Sequence, residues 1–436
     1  MSIPDSPTAG SVAVQDERNA LYRKVALRLI PFIFVCYLFN YIDRVNVGFA
    51  KLQMLEALSF SETVYGLGAG IFFIGYVLCG VPSNLALNRF GPRRWIAVMM
   101  IAWGLASTAL LLVETPGQFY ALRLFTGAAE AGFFPGMVLY LSQWFPASRR
   151  GRIMALFMAA IPVSGLVGGP FSGWILNHFA TGQGGLAGWQ WMFLIQGLPT
   201  VLLGVLAIFM LSDGFAHARW LNDDERRLLE ADRRADEASK PQGVSDSFAA
   251  VLRNPVVWAF GLVYFCIQSG VYAINFWLPS IIKSLGFSDA LVIGWISAIP
   301  YLLAGAFMQL TGRSADLSDE RRWHLVVPMW MGAAGLIVAV SAAGNPVLAI
   351  LGLTVATMGA LTGLPMFWPL PSTYLSASAA VAGLALINSM GQIAGFVSPY
   401  LVGWIKDMTG TTDIALYLLA GLIVLGSLVA LRVSRR

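Results

Sequence analysis

The chain has 436 residues, of which 57% are hydrophobic and only 12% charged, with a mean hydropathy of +0.69 and a formal net charge of +5. That is more apolar surface than one soluble core can hide, which excludes a soluble globular protein and directs the reading to a bilayer. The three cysteines, Cys36, Cys79 and Cys266, are odd in number and lie in apolar runs, so neither a disulfide framework nor a metal site is expected.

In chain order, residues 1–22 are polar and carry Pro4, Pro7 and Gly10, which predicts a mobile tail. No small-residue cleavage site follows the first apolar run, so an uncleaved first helix is expected and no signal peptide. Apolar stretches then centre near residues 38, 74, 103, 130, 163 and 200, which predicts a six-helix bundle over 23–211. The longest polar segment, 212–253, contains Asp223 to Ala238 (DDERRLLEADRRADEA), a charged helix with leucines on one side that reads as a solvated connector. A second set of stretches near 267, 300, 334, 358, 392 and 422 predicts another six-helix bundle over 254–436. Each run suits a helix crossing roughly 30 Å of hydrocarbon, and no strand-length alternation suggests a barrel. The expected fold class is an all-α membrane protein with twelve transmembrane helices in two pseudo-symmetric six-helix bundles.

The basic residues then set the topology. Of the 28 Lys and Arg, only Lys51, Lys283 and Lys406 fall on one side, and Arg44 and Arg123 lie within spans. The rest crowd the tails and alternate loops of the opposite side, which by the positive-inside rule is cytoplasmic and holds both termini. The sequence pI of about 9.1 is explained by that face, and no basic stretch is interleaved with aromatics, so no nucleic-acid partner is expected.

The two halves repeat. The loop Asn88-Arg-Phe-Gly-Pro-Arg-Arg94 after the second span has a counterpart in Gly312-Arg-Ser-Ala-Asp316 with Glu320-Arg-Arg322 after the eighth. Gly165-Leu-Val-Gly-Gly-Pro-Phe-Ser-Gly173 in the fifth span matches Gly391-Gln-Ile-Ala-Gly-Phe-Val-Ser-Pro399 in the eleventh. Two six-helix halves joined by a long loop suit a transporter that rocks about a central site. The glycines let helices approach closely, which explains their spacing without implying exchange of one substrate for another.

On these features the chain resembles the major facilitator superfamily from about residue 25 to 432. Tyr41-Ile-Asp-Arg-Val-Asn-Val-Gly-Phe-Ala50 is similar to the Tyr-x-Asp-Arg-x-Asn signature of its anion:cation symporter family. Gly127-Ala-Ala-Glu-Ala-Gly-Phe-Phe-Pro-Gly136, Gln143-Trp-Phe-Pro146, Gly188-Trp-Gln-Trp-Met-Phe-Leu194, Phe276-Trp-Leu-Pro279 and Ala385-Leu-Ile-Asn-Ser-Met-Gly391 resemble bacterial tartrate-transporter-like and aromatic-acid members. One departure is that Asn84 and Asn88 stand where the superfamily's loop motif has Gly and Asp.

Four charges sit inside the spans of the first half: Asp43, Arg44, Arg123 and Glu130. Each would cost roughly 2.5–3.5 kcal/mol at the bilayer centre, so they must pair, face a wet cavity or do chemistry. Asp43 and Arg44 are neighbours and point about 100° apart, whereas Arg123 and Glu130 are seven residues apart and share a helix face. The resemblance implies that spans one and four line the central cavity, and the geometry then allows two cross-helix pairs, Asp43 with Arg123 and Arg44 with Glu130. The four charges cancel, so an organic anion binds favourably only if an arginine is freed, and protonating a carboxylate frees one. Asp43 and Glu130 are therefore the expected proton sites. Arg44 is the first choice for a substrate carboxylate, since its planar fork suits two-point contact, and Arg123 the second.

Weaker substrate-contact candidates are Tyr41, Tyr76, Tyr272, Asn275 and the i, i+4 pair Asn388 and Gln392. Trp277, Phe367 and Trp368 read as packing residues, and His178, His217 and His324 as peripheral. No nucleotide-cradling loop, nucleophile–base pair or metal-ligand cluster is present in the sequence, so the chain reads as a secondary transporter and not an enzyme. It needs no cofactor beyond an ion gradient. The expectation is proton-coupled uptake of a small organic carboxylate, such as a tartrate-like hydroxy acid, a sugar acid or an aromatic acid, by a functional monomer in the cytoplasmic (inner) membrane. The alternatives are an organic-anion or organophosphate exchanger without proton coupling, and a sensor built on the transporter fold.

Overall fold

In the computed structural model the described residues are 9–180, 182–238, 248–342, 344–374 and 377–434. Among them eleven helical segments are long and apolar enough to cross a membrane. In chain order these are span 1 (Asp16–Leu58), span 2 (Glu62–Leu87), span 3 (Pro92–Leu112), span 4 (Pro116–Trp144), span 5 (Ala147–His178), span 6 (Gly188–Met210), span 7 (Pro255–Ser284), span 8 (Ala290–Ser318), span 9 (Arg322–Ser341), span 10 (Pro346–Pro371) and span 12 (Asp413–Val433). The stretch expected near residue 392 falls on the 33-residue helix Ala377–Thr409, which is span 11. Expected and observed fold class agree: an all-α membrane protein of two six-helix halves.

Local chemistry starts these helices where the sequence says it should. Ser61 accepts from the Val64 amide at the head of span 2, Thr115 and Gln118 form a reciprocal capping box before span 4, and Asn254 caps span 7 with Pro255 in its first turn. The outward faces carry exposed Leu78, Val81, Leu202, Phe209, Leu425 and Leu428, the surface a bilayer requires.

Two features depart from continuous spans and a free tail. Span 4 is interrupted between Glu130 and Phe133, because Pro135 has no N–H to offer the carbonyl of Ala131. Span 1 runs on through Asn46, which keeps helical dihedrals and whose amide donates to the Ile42 carbonyl at 2.8 Å. Residues 9–22, expected in the tail, are already helical, and the first eight lie outside the described residues. Their last turn is held by the connector: Arg18 and Tyr22 meet Asp232 at 3.4 and 3.1 Å, and Lys24 meets Glu225 at 2.7 Å. The connector helix Asp223–Ala238 is therefore docked on the first half, with Leu229 buried, and is not solvated all round.

The matched glycine segments lie on the two seams between the halves. Span 5 packs on span 8, where a side chain at Gly169 would meet the carbonyl of Gly294 at 2.8 Å. Span 11 packs on span 2, where one at Gly70 would meet the carbonyl of Phe396 at 2.6 Å. Backbones approach this closely only without side chains, which is how small residues hold membrane helices together. The repeat read in the sequence is thus a repeat of contact.

Candidate functional site

Span 1 presents its charged pair to two different neighbours. Arg44 turns toward span 4 and donates to Glu130, its Nε lying 2.8 Å from Oε1 and its Nη2 reaching the same oxygen. Both side chains are buried, and the second carboxylate oxygen of Glu130 has no hydrogen-bond partner. Three rings surround the guanidinium, those of Tyr41, Phe72 and Tyr76, with centroids 5.7, 5.5 and 5.4 Å from Cζ. Such faces stabilise a cation that has lost its water.

Asp43, pointing the other way, does not pair with Arg123. The Thr200 hydroxyl donates to its Oδ2 at 2.6 Å and the Ser107 hydroxyl to its Oδ1 at 3.4 Å, so spans 6 and 3 hold it. Arg123 instead donates to the carbonyls of Gly68 and Ala69 on span 2, at 3.2 and 3.3 Å, with its Cζ 4.8 Å from the Phe72 centroid. The expected Asp43–Arg123 pair fails for a packing reason. Gly127 lets span 4 press against the backbone of span 2 at Phe72, which brings carbonyls within reach of the arginine. Arg123 is fully buried and its Nη1 has no partner, so it remains a cation without a carboxylate.

The second half answers with neutral polar groups. Asn275 donates to the Tyr41 hydroxyl at 3.0 Å and accepts from the Tyr301 hydroxyl at 2.6 Å, linking the halves across the centre. The Tyr272 hydroxyl donates to Gln392 at 3.0 Å, and its ring lies 4.3 Å from that of Phe73 on span 2. Asn388 is partly exposed and joins no hydrogen bond among the described residues. The structure thus gathers Tyr41, Arg44, Tyr76 and Glu130 in one cluster, brings Asn275, Tyr272 and Gln392 to its rim, and leaves Asp43 and Arg123 on separate flanks. Beside Asn275, a mostly apolar cavity of about 20 Å³ between spans 1, 5, 7 and 8 is too small for an organic acid.

At the end away from the termini the halves are tied by residues that the sequence marked only as topology signals. Lys51 and Lys406, from opposite halves, both reach Glu62, at 2.5 and 2.6 Å. The Asp407 carboxylate accepts from the Glu62 and Thr63 amides at 3.1 and 2.7 Å, and Lys283 donates to the Leu52 carbonyl at 3.0 Å. The Lys51 ammonium also sits 3.4 Å from the centroid of Trp277. All three lysines of that sparse face are therefore cross-half contacts, and the site is closed on their side. Thr200, Ser107, Tyr301 and Glu62 were missed in the sequence, since a hydroxyl or one carboxylate at a span end carries no pattern of its own.

Comparison with known proteins agrees with this architecture. The Major Facilitator Superfamily model matches residues 33–399. A Pseudomonas putida protein named "Putative metabolite transport protein NicT" is 46% identical over 423 residues, covering 96% of each chain. An Agrobacterium vitis protein named "Putative tartrate transporter" is also 46% identical, over 420 residues and 96% of each chain. Among solved structures, the Escherichia coli xylose transporter XylE in a partially occluded inward-open conformation superposes with a TM-score of 0.73 at 14% identity, covering 92% of this chain and 96% of that one. A bacterial homologue of the human lysosomal transporter Spinster, inward-facing and occupied, gives 0.72 at 15% identity and covers 95% and 97%. The chain belongs to the major facilitator superfamily of membrane transporters.

Proposed function

We propose that the protein takes up a small organic carboxylate together with protons, by alternating access, as a monomer in the inner membrane with both termini in the cytoplasm. The observation that carries this reading is the buried Arg44–Glu130 pair. The one arginine in the ring of Tyr41, Phe72 and Tyr76 is already occupied by a carboxylate of the protein. A substrate carboxylate competes for the same guanidinium, and two carboxylates cannot share it without repulsion. A proton delivered to Glu130 removes that competition and frees the fork for the substrate. Binding of the anion and of the proton then favour each other, and no cofactor is needed beyond the proton gradient.

The other residues take supporting roles. Asp43, held by hydroxyls and not by an arginine, is a second proton site whose neutral form keeps Thr200 as a partner. Arg123, whose Nη1 has no partner, attracts the anion's charge. Tyr41, Tyr76, Tyr272, Asn275, Asn388 and Gln392 supply hydrogen bonds to the remainder of the substrate, and the neutrality of the second half suits hydroxyl- or ring-bearing acids. The name of the A. vitis relative, a putative tartrate transporter, supports a carboxylate. The basic face at the termini supports their cytoplasmic placement.

The test is uptake of labelled tartrate, a sugar acid, hydroxyphenylacetate and nicotinate into proteoliposomes, with and without an inward proton gradient. Accumulation of one acid that depends on the gradient and is lost in Glu130→Gln supports the reading. Exchange that ignores both the gradient and the substitution selects the uncoupled exchanger instead.

A further inference from the structure

On the outside of the first half, a cleft of about 690 Å³ opens where spans 1, 3 and 6 meet the connector. No residue of the second half lines it, so it is separate from the central site. Four arginines do: Arg28 from span 1, Arg93 from span 3, and Arg219 and Arg226 from the connector. Two of these are neutralised, Arg93 by Asp213 at 3.2 Å and Arg226 by Asp223 at 2.9 Å. Arg28 and Arg219 have no acid and no hydrogen-bond acceptor among the described residues. The lining also holds Trp220, whose buried indole N–H has no acceptor, and Phe209 in the last turn of span 6, which is 76% exposed.

The placement tells what ligand this combination takes. Phe209 and the neighbouring exposed Ile208 belong to the apolar band of a membrane span, whereas the arginines belong to the polar rim above it. A tryptophan at that boundary is the usual marker of headgroup depth. A soluble anion would satisfy the arginines but leave the aliphatic and aromatic floor against water. A lipid tail alone would leave two cations unanswered.

We propose that this cleft is a binding site for an anionic phospholipid, its phosphate held between Arg28 and Arg219 and one acyl chain lying along Ile208 and Phe209. The lipid joins span 1, span 6 and the connector on the basic face. That ties the docking of the connector helix to the charge of the surrounding leaflet, since Arg226 belongs to both.

The experiment is native mass spectrometry of the full-length protein in detergent, titrated with phosphatidylglycerol and, in parallel, with phosphatidylcholine. Wild type retains phosphatidylglycerol in preference to phosphatidylcholine. Removing two surface cations from an anionic headgroup weakens binding by roughly thirty-fold, so Arg28→Gln/Arg219→Gln loses most of the preference. Arg227→Gln, whose side chain is 81% exposed and lines no part of the cleft, keeps it. Equal binding of the two lipids by wild type, or undiminished phosphatidylglycerol binding by the double variant, overturns the proposal. So does competition by millimolar inorganic phosphate or glycerol phosphate that displaces the lipid, because that assigns the cleft to a free anion. Should the double variant not fold, salt dependence in wild type decides: phosphatidylglycerol raises the melting temperature at low ionic strength and loses most of that effect at high salt. A rise that ignores salt, or that phosphatidylcholine matches, also overturns it.

Discussion

The Arg44–Glu130 pair predicts a specific pattern of stability that is independent of any transport assay. Both groups are buried, so removing one leaves the other charged and without a partner, which costs roughly 3–5 kcal/mol. Arg44→Ala is therefore strongly destabilising. Glu130→Gln costs less per atom removed but leaves the arginine cationic among three aromatic rings. Replacing both together, Arg44→Leu/Glu130→Leu, removes both desolvation costs and is neutral or stabilising by about 1–4 kcal/mol. An unfolding entropy of roughly 2 cal/mol/K per residue converts the single-variant loss over this chain to about 3–5 °C in melting temperature. A membrane protein that keeps helix on unfolding has a smaller entropy change, so the shift is no less than that. The assay is thermal unfolding of purified protein followed by tryptophan fluorescence. If the losses of Arg44→Leu and Glu130→Leu measured singly add in the double variant to within about 0.5 kcal/mol, the pair is not an energetic unit and the coupling argument fails with it.

Three further outcomes follow from neighbouring contacts. Asp43→Asn keeps the hydrogen bond from Thr200 but carries no titratable proton. It should retain exchange of internal for external substrate while losing gradient-driven accumulation, and full accumulation in this variant removes Asp43 from the proton sites. Glu62→Ala removes the Lys406 ion pair that crosses the halves together with the Lys51 pair inside the first half, so spin labels at the Glu62 end of span 2 and the Lys406 end of span 11 should move apart on average, and an unchanged distance distribution contradicts a gate there. In the connector, burial pushes the Glu225 carboxyl up, but the hydrogen bonds from Lys24 and the Asn222 amide outweigh it and hold the group below its ordinary 4.5. Its contribution to docking is present above 4.5 and lost as the pH falls through the depressed folded value. The helix Asp223–Ala238 should become more accessible to a protease active in acid only in that range, and in Lys24→Ala the onset should move to higher pH.

Much of the fold was legible because it rests on run length. Twelve apolar stretches of bilayer length and a repeated glycine segment are one-dimensional signals, and each has its counterpart in the structure. The break in span 4 was legible in principle from Pro135 but hidden by the unbroken hydrophobicity around it. At the site, adjacency along a helix showed that Asp43 and Arg44 diverge, and the four intramembrane charges showed where to look. What the sequence could not supply was azimuth between helices. The close approach of spans 2 and 4 at Gly127 decides that Arg123 binds backbone carbonyls, and only the packed structure contains that fact. The docking of the connector was hidden for a related reason, since its apolar stripe is narrow and its partners, Tyr22 and Lys24, lie two hundred residues upstream.

The central claim is that a proton and an anion cross together because both act on Arg44. It is tested most directly by trapping a pH-sensitive dye inside proteoliposomes and adding the transported carboxylate outside, with no gradient imposed. The account predicts that the lumen acidifies as labelled acid enters, and that Glu130→Gln abolishes the acidification while leaving exchange of acid for acid intact. Entry of the acid with no change in internal pH would contradict it.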